Sequence, residues 1–131
     1  MSLLVQAKTK TLKSDIKKEL RIYFPKIDFN INSRQEEDRT VFTISYTDGV
    51  SKIRVRSVVR QFAHTYHADR KPVKVDFDIE RSMSGKTENL MLSEMKSVWK
   101  IKDNLLLDEF FPPFNCTVRE YVWKIFNMRD F

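Results

Sequence analysis

Apolar residues recur at helical spacing near the start of the chain. In this first segment they are three or four residues apart: Leu12, Ile16, Leu20 and Tyr23. This spacing predicts an amphipathic helix over about residues 11–24 with these side chains on its buried face. Pro25 ends the predicted helix, because proline disfavours the α conformation of the residue before it.

Two further segments carry the same helical pattern. The first runs from about residue 51 to residue 66, with one buried arc formed by Val55, Val58, Val59, Phe62 and Tyr66. The second runs over about residues 117–128 and begins with Thr117 and Glu120, the spacing of a capping box. Residues 90–102 fit a helix or a short strand equally well, so both interpretations stay open.

Strict alternation of apolar and polar residues marks the predicted strands. It occurs over about residues 26–31, 40–47 and 73–80, and it is clearest in the last of these. The polar run Ser33–Arg39 predicts a turn between the first two strands, and Asp48-Gly49 predicts the end of the second. Because each strand has one apolar face only, the sheet is expected to be covered on one side.

The order of these elements is α-β-β-α-β-variable-α. It predicts an α+β fold, with a small, mostly antiparallel sheet of three to four strands and helices packed on one face. We expect a single domain over residues 1–131, with a loose basic N-terminal arm at 1–10 and loops at 82–89 and 103–116. A chain of 131 residues is long enough to bury one core.

Composition narrows the range of functions. Two glycines argue against a glycine-rich phosphate-binding loop, and the single cysteine, Cys116, excludes an internal disulfide and a cysteine-clustered zinc site. No apolar run approaches the roughly 20 residues of a membrane-spanning helix. These features predict a cytoplasmic protein without membrane association, cofactor or metal.

The net charge of +6 is distributed unevenly. Residues 1–70 contain 14 Lys+Arg and 8 Asp+Glu, whereas residues 71–131 contain 10 of each. A focused positive field attracts polyanions, although basic residues also serve solubility alone. The candidate contact residues form one stripe on each of the first two predicted helices: Lys13, Lys17, Arg21, Lys52, Arg56 and Arg60. They predict a surface that contacts phosphates or an acidic protein, and a merely solvated helix face is the alternative.

Acidic residues offer an alternative chemistry. Asp76, Asp78 and Glu80 share the polar face of one predicted strand, where alternate carboxylates lie about 7 Å apart. Such carboxylates hold divalent metals in phosphoryl-transfer enzymes, but on most strands they only face water. His64 and His67 fit the C-terminal end of a helix better than an incomplete metal site.

Aromatic residues near the end of the chain suggest a third kind of function. Trp123 lies off the inner arc of the last predicted helix, so it is a candidate for contact with a partner or for packing under the segment before it. With the aromatic segment Phe110–Phe114 it would serve a structural or oligomeric interaction module.

Two stretches resemble a known family. Ile16–Leu20 followed by Phe24-Pro25 and Phe29 is similar to the opening of the large polyvalent-protein-associated domains, and Ile44–Gly49 is similar to a later segment of it. The resemblance covers roughly residues 14–62, with Tyr46 and Val50 where that family has Trp and Pro. It implies a phage or conjugative-element setting more than a mechanism, since that family has no established catalytic residues to carry over to this chain.

These observations lead to one preferred hypothesis. The chain is predicted to be a small non-enzymatic accessory protein of a phage or mobile element. It would bind nucleic acid, or a host nucleoprotein such as a defence complex, through its basic helix faces. A metal-dependent nuclease or phosphotransferase and a structural or homo-oligomeric module remain the alternatives.

Overall fold

The computed structural model describes residues 3–68, 70–99, 110–111 and 116–131. These residues form two compact units, Met1–Ser82 and Met83–Phe131, where the sequence predicts one domain. Each unit has its own buried apolar cluster.

The first unit contains two helices and four strands. In chain order they are α1 (Leu3–Tyr23), β1 (Asn30–Gln35), β2 (Arg39–Thr47), α2 (Lys52–Val59), β3 (Tyr66–Ala68) and β4 (Lys71–Ser82). A short 3₁₀ turn, Arg60–Phe62, follows α2 directly.

The four strands form one sheet in the order β1-β2-β4-β3. The pairs β1–β2 and β3–β4 are antiparallel, whereas the central β2–β4 pair is parallel. Parallel strands need a crossover connection, which α2 provides. The predicted α+β fold with a mostly antiparallel sheet is therefore confirmed, with one parallel pair at its centre.

Helices α1 and α2 cover the same face of this sheet. Their buried side chains recur at helical spacing and meet alternate residues of the strands, such as Phe42 and Ile44 of β2 and Val75 and Ile79 of β4. Residues between these positions, including Asp76 and Asp78, lie on the opposite face. The one-sided hydrophobic pattern of the strands is explained by this arrangement.

Polar side chains also join α1 to the sheet. The Gln35 amide donates to the Thr9 hydroxyl at 3.1 Å and its oxygen accepts from the fully buried Thr40 hydroxyl at 2.8 Å. Buried polar groups need such partners, so this chain of bonds favours one alignment of α1 on the sheet.

The second unit contains α3 (Gly85–Trp99), the two-residue strands β5 (Phe110–Phe111) and β6 (Cys116–Thr117), and α4 (Val118–Asn127). α3 and α4 bury a cluster formed by Met91, Met95, Val118, Val122 and Phe126. The Thr117 hydroxyl accepts from the Glu120 N–H at 3.2 Å, which confirms the predicted cap. Residues 90–102 fit either a helix or a strand by sequence. The part up to Trp99 is helical, and the rest lies outside the described residues.

The termini and loops differ from the predictions. The segment expected to be a loose arm is helical from Leu3, because Thr9 lies on the buried side of α1 and extends its packed face. The loop predicted at 82–89 is confined to residues 83–84, since Ser84 caps α3 by accepting from the Thr87 N–H at 3.2 Å. Within 103–116, β5 and β6 pair with each other, and the other positions are not among the described residues.

The second helix is shorter than predicted. It ends at Val59, and Tyr66 belongs to β3, where it is paired with Val73 across a tight hairpin. Arg70 occupies the turn with a φ of 63°. Strand β1 extends to Gln35 through part of the predicted turn, because its backbone pairs with β2 despite its polar side chains.

No helix within the described ranges combines the length and apolar character needed to cross a bilayer.

Candidate nucleic-acid interface

The cations on α1 form a stripe beside its buried face. Lys13, Lys17 and Arg21 each directly follow a buried residue, Leu12, Ile16 or Leu20. A rotation of about 100° per residue places them on one flank, where they span about 12 Å along the helix axis. All three side chains are exposed. We call these three residues the α1 stripe.

A cleft lies where α1 ends. Its volume is about 220 Å³, and Lys17, Arg21 and Lys26 line it together with Asp28. The remaining lining residues are Pro25, Ile27 and Phe29. Pro25 stops the helix, and the Ile27 N–H donates to the Phe24 carbonyl at 3.2 Å, which turns the chain back towards β1. Three cations and one carboxylate give this α1 cleft a formal charge of +2.

The charged groups of the α1 cleft are available for a ligand. Within the described part of the chain, none of the side chains of Lys17, Arg21, Lys26 and Asp28 forms an ion pair or hydrogen bond. The same holds for Lys13. The cleft therefore offers unneutralised positive charge at a concave surface, where a phosphate group fits electrostatically.

The stripe on α2 lies apart from the α1 stripe. Lys52, Arg56 and Arg60 are exposed as predicted. The guanidinium of Arg54, however, lies 5.6 Å from the ring centroid of Phe24 beside the end of α1. Helical geometry turns Lys52 and Arg56 about 160° away from Arg54, so α2 presents these two cations away from α1. The α1 stripe and the cations of α2 therefore face different directions.

Arg56 lines a second cleft, which the sequence does not predict. This cleft has a volume of about 350 Å³, and its charged lining comprises Arg34, Arg39, Arg56, Asp76 and Asp78. Unlike the α1 cleft, it holds cations and carboxylates that neutralise one another. We call this the arginine–carboxylate cluster, and Glu36 belongs to it through its ion pairs.

Ion pairs connect three strands in this cluster. Arg34 donates to Asp78 at 2.8 Å and to Glu36 at 3.2 Å, and Arg39 donates to Asp76 at 3.0 Å and also to Glu36. The hydrogen bond from Arg39, and then that from Arg34, lowers the pKa of the Glu36 carboxyl. The hydrogen bond to Asp78 is the main cause of the raised pKa of Arg34. The hydrogen bond to Glu36 is the main cause of the raised pKa of Arg39.

These ion pairs occupy two of the three carboxylates of the alternative enzyme hypothesis, and the third, Glu80, is exposed. Asp76 and Asp78 share the open face of β4 as predicted, but each accepts from an arginine rather than facing its neighbour. No group of three His, Cys, Asp or Glu side chains suited to a metal ion occurs in the described ranges.

The remaining candidates lie elsewhere. His64 lies just after the 3₁₀ turn that continues α2, close to a helix end as predicted, whereas His67 lies in β3, so its predicted position at a helix end is wrong. Cys116 is buried in β6. Trp123 is half-buried, with its ring 5.4 Å from that of Phe126 in an edge-to-face contact. Phe110 and Phe111 pair with β6, and residues 112–115 are outside the described part.

Comparison with protein-family models, with curated proteins and with solved structures finds no significant match to this chain. Its function is therefore argued from the geometry of its own residues.

Sequence reasoning found the α1 stripe but missed both clefts. Lys26 and Asp28 join the α1 cleft because the chain reverses after Pro25, and that helix-stop signal was visible in the sequence. Arg34 and Arg39 both lie in the polar run that predicts a turn, and no sequence pattern places them opposite Asp76 and Asp78. Only the parallel pairing of β2 with β4 does so.

Proposed function

We propose that this protein binds nucleic acid without catalysing a reaction, and that the α1 stripe and the α1 cleft contact its phosphates. The observation that carries the proposal is a contrast between two sets of charges. The cations of the α1 cleft make no ion pair with described residues, whereas Asp76 and Asp78 are engaged by arginines. Unpaired, exposed cations at a concave surface are what phosphate binding requires.

The mode of binding follows from the residue types. Lysine and arginine side chains on one helix flank neutralise phosphates and need not read bases, so recognition depends weakly on sequence. Lys52 and Arg56 on α2, with Arg60 in the 3₁₀ turn that follows, form a separate set that would contact a more distant part of the same strand or an acidic protein partner. An accessory role in a phage or mobile element, within the cytoplasm of its host, is proposed from the resemblance of residues 14–62 alone.

A salt titration tests the proposal. Binding of the full chain to labelled single-stranded and duplex DNA and RNA is measured by fluorescence anisotropy from about 50 mM salt upwards. On duplex DNA, log affinity is expected to fall with log salt by about 0.9 for each phosphate neutralised. The double variant Lys17→Ala/Arg21→Ala should flatten this slope by about two units.

The matched control removes the same charge from the second unit. Lys86 and Lys124 are both exposed there, so Lys86→Ala/Lys124→Ala changes the net charge equally and is expected to leave the slope unchanged. The variant Arg56→Ala/Arg60→Ala measures the share of the α2 set. Absence of binding near 50 mM salt, or equal slopes for the α1 variant and the wild type, would refute phosphate binding at the α1 cleft.

A further inference from the structure

The cations of the α1 cleft come from two segments of the chain. Lys17 and Arg21 belong to the last two turns of α1, and Lys26 belongs to the reversal that follows Pro25. Lys13 is part of the α1 stripe but does not line the cleft, and it lies about 6 Å further back along the helix axis than Lys17. Three cations therefore meet at one concavity, and the α1 stripe leads out of it towards Lys13.

The rest of the cleft, apart from Asp28, is apolar. Pro25, Ile27 and Phe29 complete its lining, and Phe29 is buried in the core of the first unit. These side chains offer no charge to a second phosphate. The volume of about 220 Å³ is also below the roughly 300–1,000 Å³ of pockets that take whole small molecules. The cleft therefore has room for one phosphate group with part of its sugar.

The charge of the cleft fits a phosphate at the end of a strand better than one inside it. Three cations and Asp28 give a formal charge of +2. A phosphodiester inside a strand carries one negative charge, whereas a terminal phosphate carries about 1.5 to 2 at pH 7, because its second pKa is about 6. The terminal group therefore uses more of the charge that the cleft offers.

We propose that the α1 cleft binds the terminal phosphate of a nucleic-acid strand, which then runs along the α1 stripe past Lys13. The inference rests on the proposed function and names the group that the cleft selects. A phosphomonoester ends either the 5′ or the 3′ side of a strand, and both present the same chemistry. In either case Lys13 contacts an inner phosphate, while Lys17, Arg21 and Lys26 hold the end.

The first test measures binding of the full wild-type chain to single strands of about 12 nucleotides at about 50 mM salt by fluorescence anisotropy. Strands of one sequence carry a phosphate or a hydroxyl at the 5′ end, or a phosphate or a hydroxyl at the 3′ end, with the label at the opposite end. At one of the two ends, the phosphate is expected to strengthen binding about tenfold, as one added charge-assisted hydrogen bond predicts. Equal affinity for all four strands would overturn the inference.

Two variants locate this preference. Lys26→Ala should bring the ratio of the two affinities, phosphate over hydroxyl, close to one. Lys13→Ala is the matched control, because it removes the same charge from the same surface outside the cleft. It should weaken both strands equally and keep the ratio. A ratio that survives in Lys26→Ala, or disappears in Lys13→Ala, would show that the terminal phosphate is not held in the cleft.

A second measurement uses the wild-type protein and the ionisation of the ligand. The ratio should rise from about pH 5 to about pH 7.5, because the terminal phosphate gains its second charge over this range. The hydroxyl strand has no such ionisation, so it corrects for titration of the protein, including Asp28. A ratio independent of pH would contradict the proposal.

The two proposals fail in different ways. If the four strands bind equally while Lys17→Ala/Arg21→Ala flattens the salt slope, phosphate binding stands and recognition of the strand end is refuted. If none of the strands binds, both are refuted.

Discussion

At the scale of single residues, the turn after β2 depends on backbone conformations that few side chains tolerate. Asp48 and Gly49 have φ values of 56° and 65°. The guanidinium of the buried Arg81 donates to the carbonyls of both, at 2.8 and 2.7 Å. The Tyr46 hydroxyl donates to the Val50 carbonyl at 2.7 Å and closes the turn from inside. The turn is thus fixed by its own backbone and by side chains of two strands.

We predict that Gly49→Ala destabilises the protein by about 1–3 kcal/mol, because a left-handed conformation costs a residue with a Cβ about 1–2 kcal/mol and the new atom adds a clash. That Cβ would lie 2.6 Å from the Ile27 Cδ1 atom. Gly85→Ala is the control, since its Cβ meets nothing within 4 Å. Denaturant unfolding followed by circular dichroism compares the two variants, and an unchanged midpoint for Gly49→Ala would contradict the prediction.

At the scale of elements, the arginine–carboxylate cluster holds the β1–β2 hairpin against β4. Glu36 lies in the connection between β1 and β2 and accepts from Arg34 on one strand and Arg39 on the other. Arg34 also forms an ion pair with Asp78 of β4, and Arg39 forms one with Asp76 of the same strand. The side chains of this cluster are partly exposed, so its contribution is reduced by salt.

The lowered pKa of Glu36 gives this element a defined pH dependence. Because its pKa in the folded state lies below the ordinary value of 4.5, the carboxylate stabilises the fold above pH 4.5. This contribution is lost as the pH falls through the lower folded pKa. Glu36→Gln should therefore lower the melting temperature at pH 7, and the difference from the wild type should shrink as the pH falls below 4.5 through the lowered pKa of the folded state.

Glu37→Gln is the matched control for this experiment. Glu37 is exposed, and its side chain makes no ion pair with the described residues, so the same change in net charge should leave the melting temperature nearly constant. Melting curves recorded from about pH 2 to pH 7 compare the melting temperatures of both variants with that of the wild type. Equal losses for both variants at neutral pH would show that net charge, and not the cluster, is responsible.

At the scale of the whole molecule, the boundary between the two compact units also separates the basic part of the sequence from the part without net charge. The buried cluster around α1, α2 and the sheet lies entirely within Met1–Ser82, and the cluster of α3 and α4 lies within Met83–Phe131. Residues 1–82 contain 17 of the 24 Lys+Arg and 11 of the 18 Asp+Glu. The first unit therefore carries the full net charge of +6, and residues 83–131 carry none.

This division predicts that a fragment of residues 1–82 folds and binds by itself. It retains every member of its buried cluster, and 82 residues are enough for a small domain. We expect a cooperative melt and a salt slope equal to that of the full chain, whereas residues 83–131 should not bind. A folded fragment 1–82 that has lost binding would show that the second unit contributes to the interface.

The sequence by itself determined the periodic elements and the type of surface. Helical spacing located α1, α2 and α4, and alternation located β2 and β4, because burial of one face imposes a period on the chain. The exposure of the α1 and α2 stripes followed from the same periods. Local capping chemistry was also readable, as Thr117 and Glu120 show.

Tertiary structure decided the features that depend on contacts between distant residues. The parallel pairing of β2 with β4 brings Arg34 and Arg39 to Asp76 and Asp78, and the end of α2 at Val59 frees Tyr66 to pair with Val73. Tyr23 is exposed because α1 ends at this residue and the chain turns back, although helical spacing alone places it inside. Periodicity records which face of an element is buried, but not which elements become neighbours, since that choice depends on the packing energy of the whole unit.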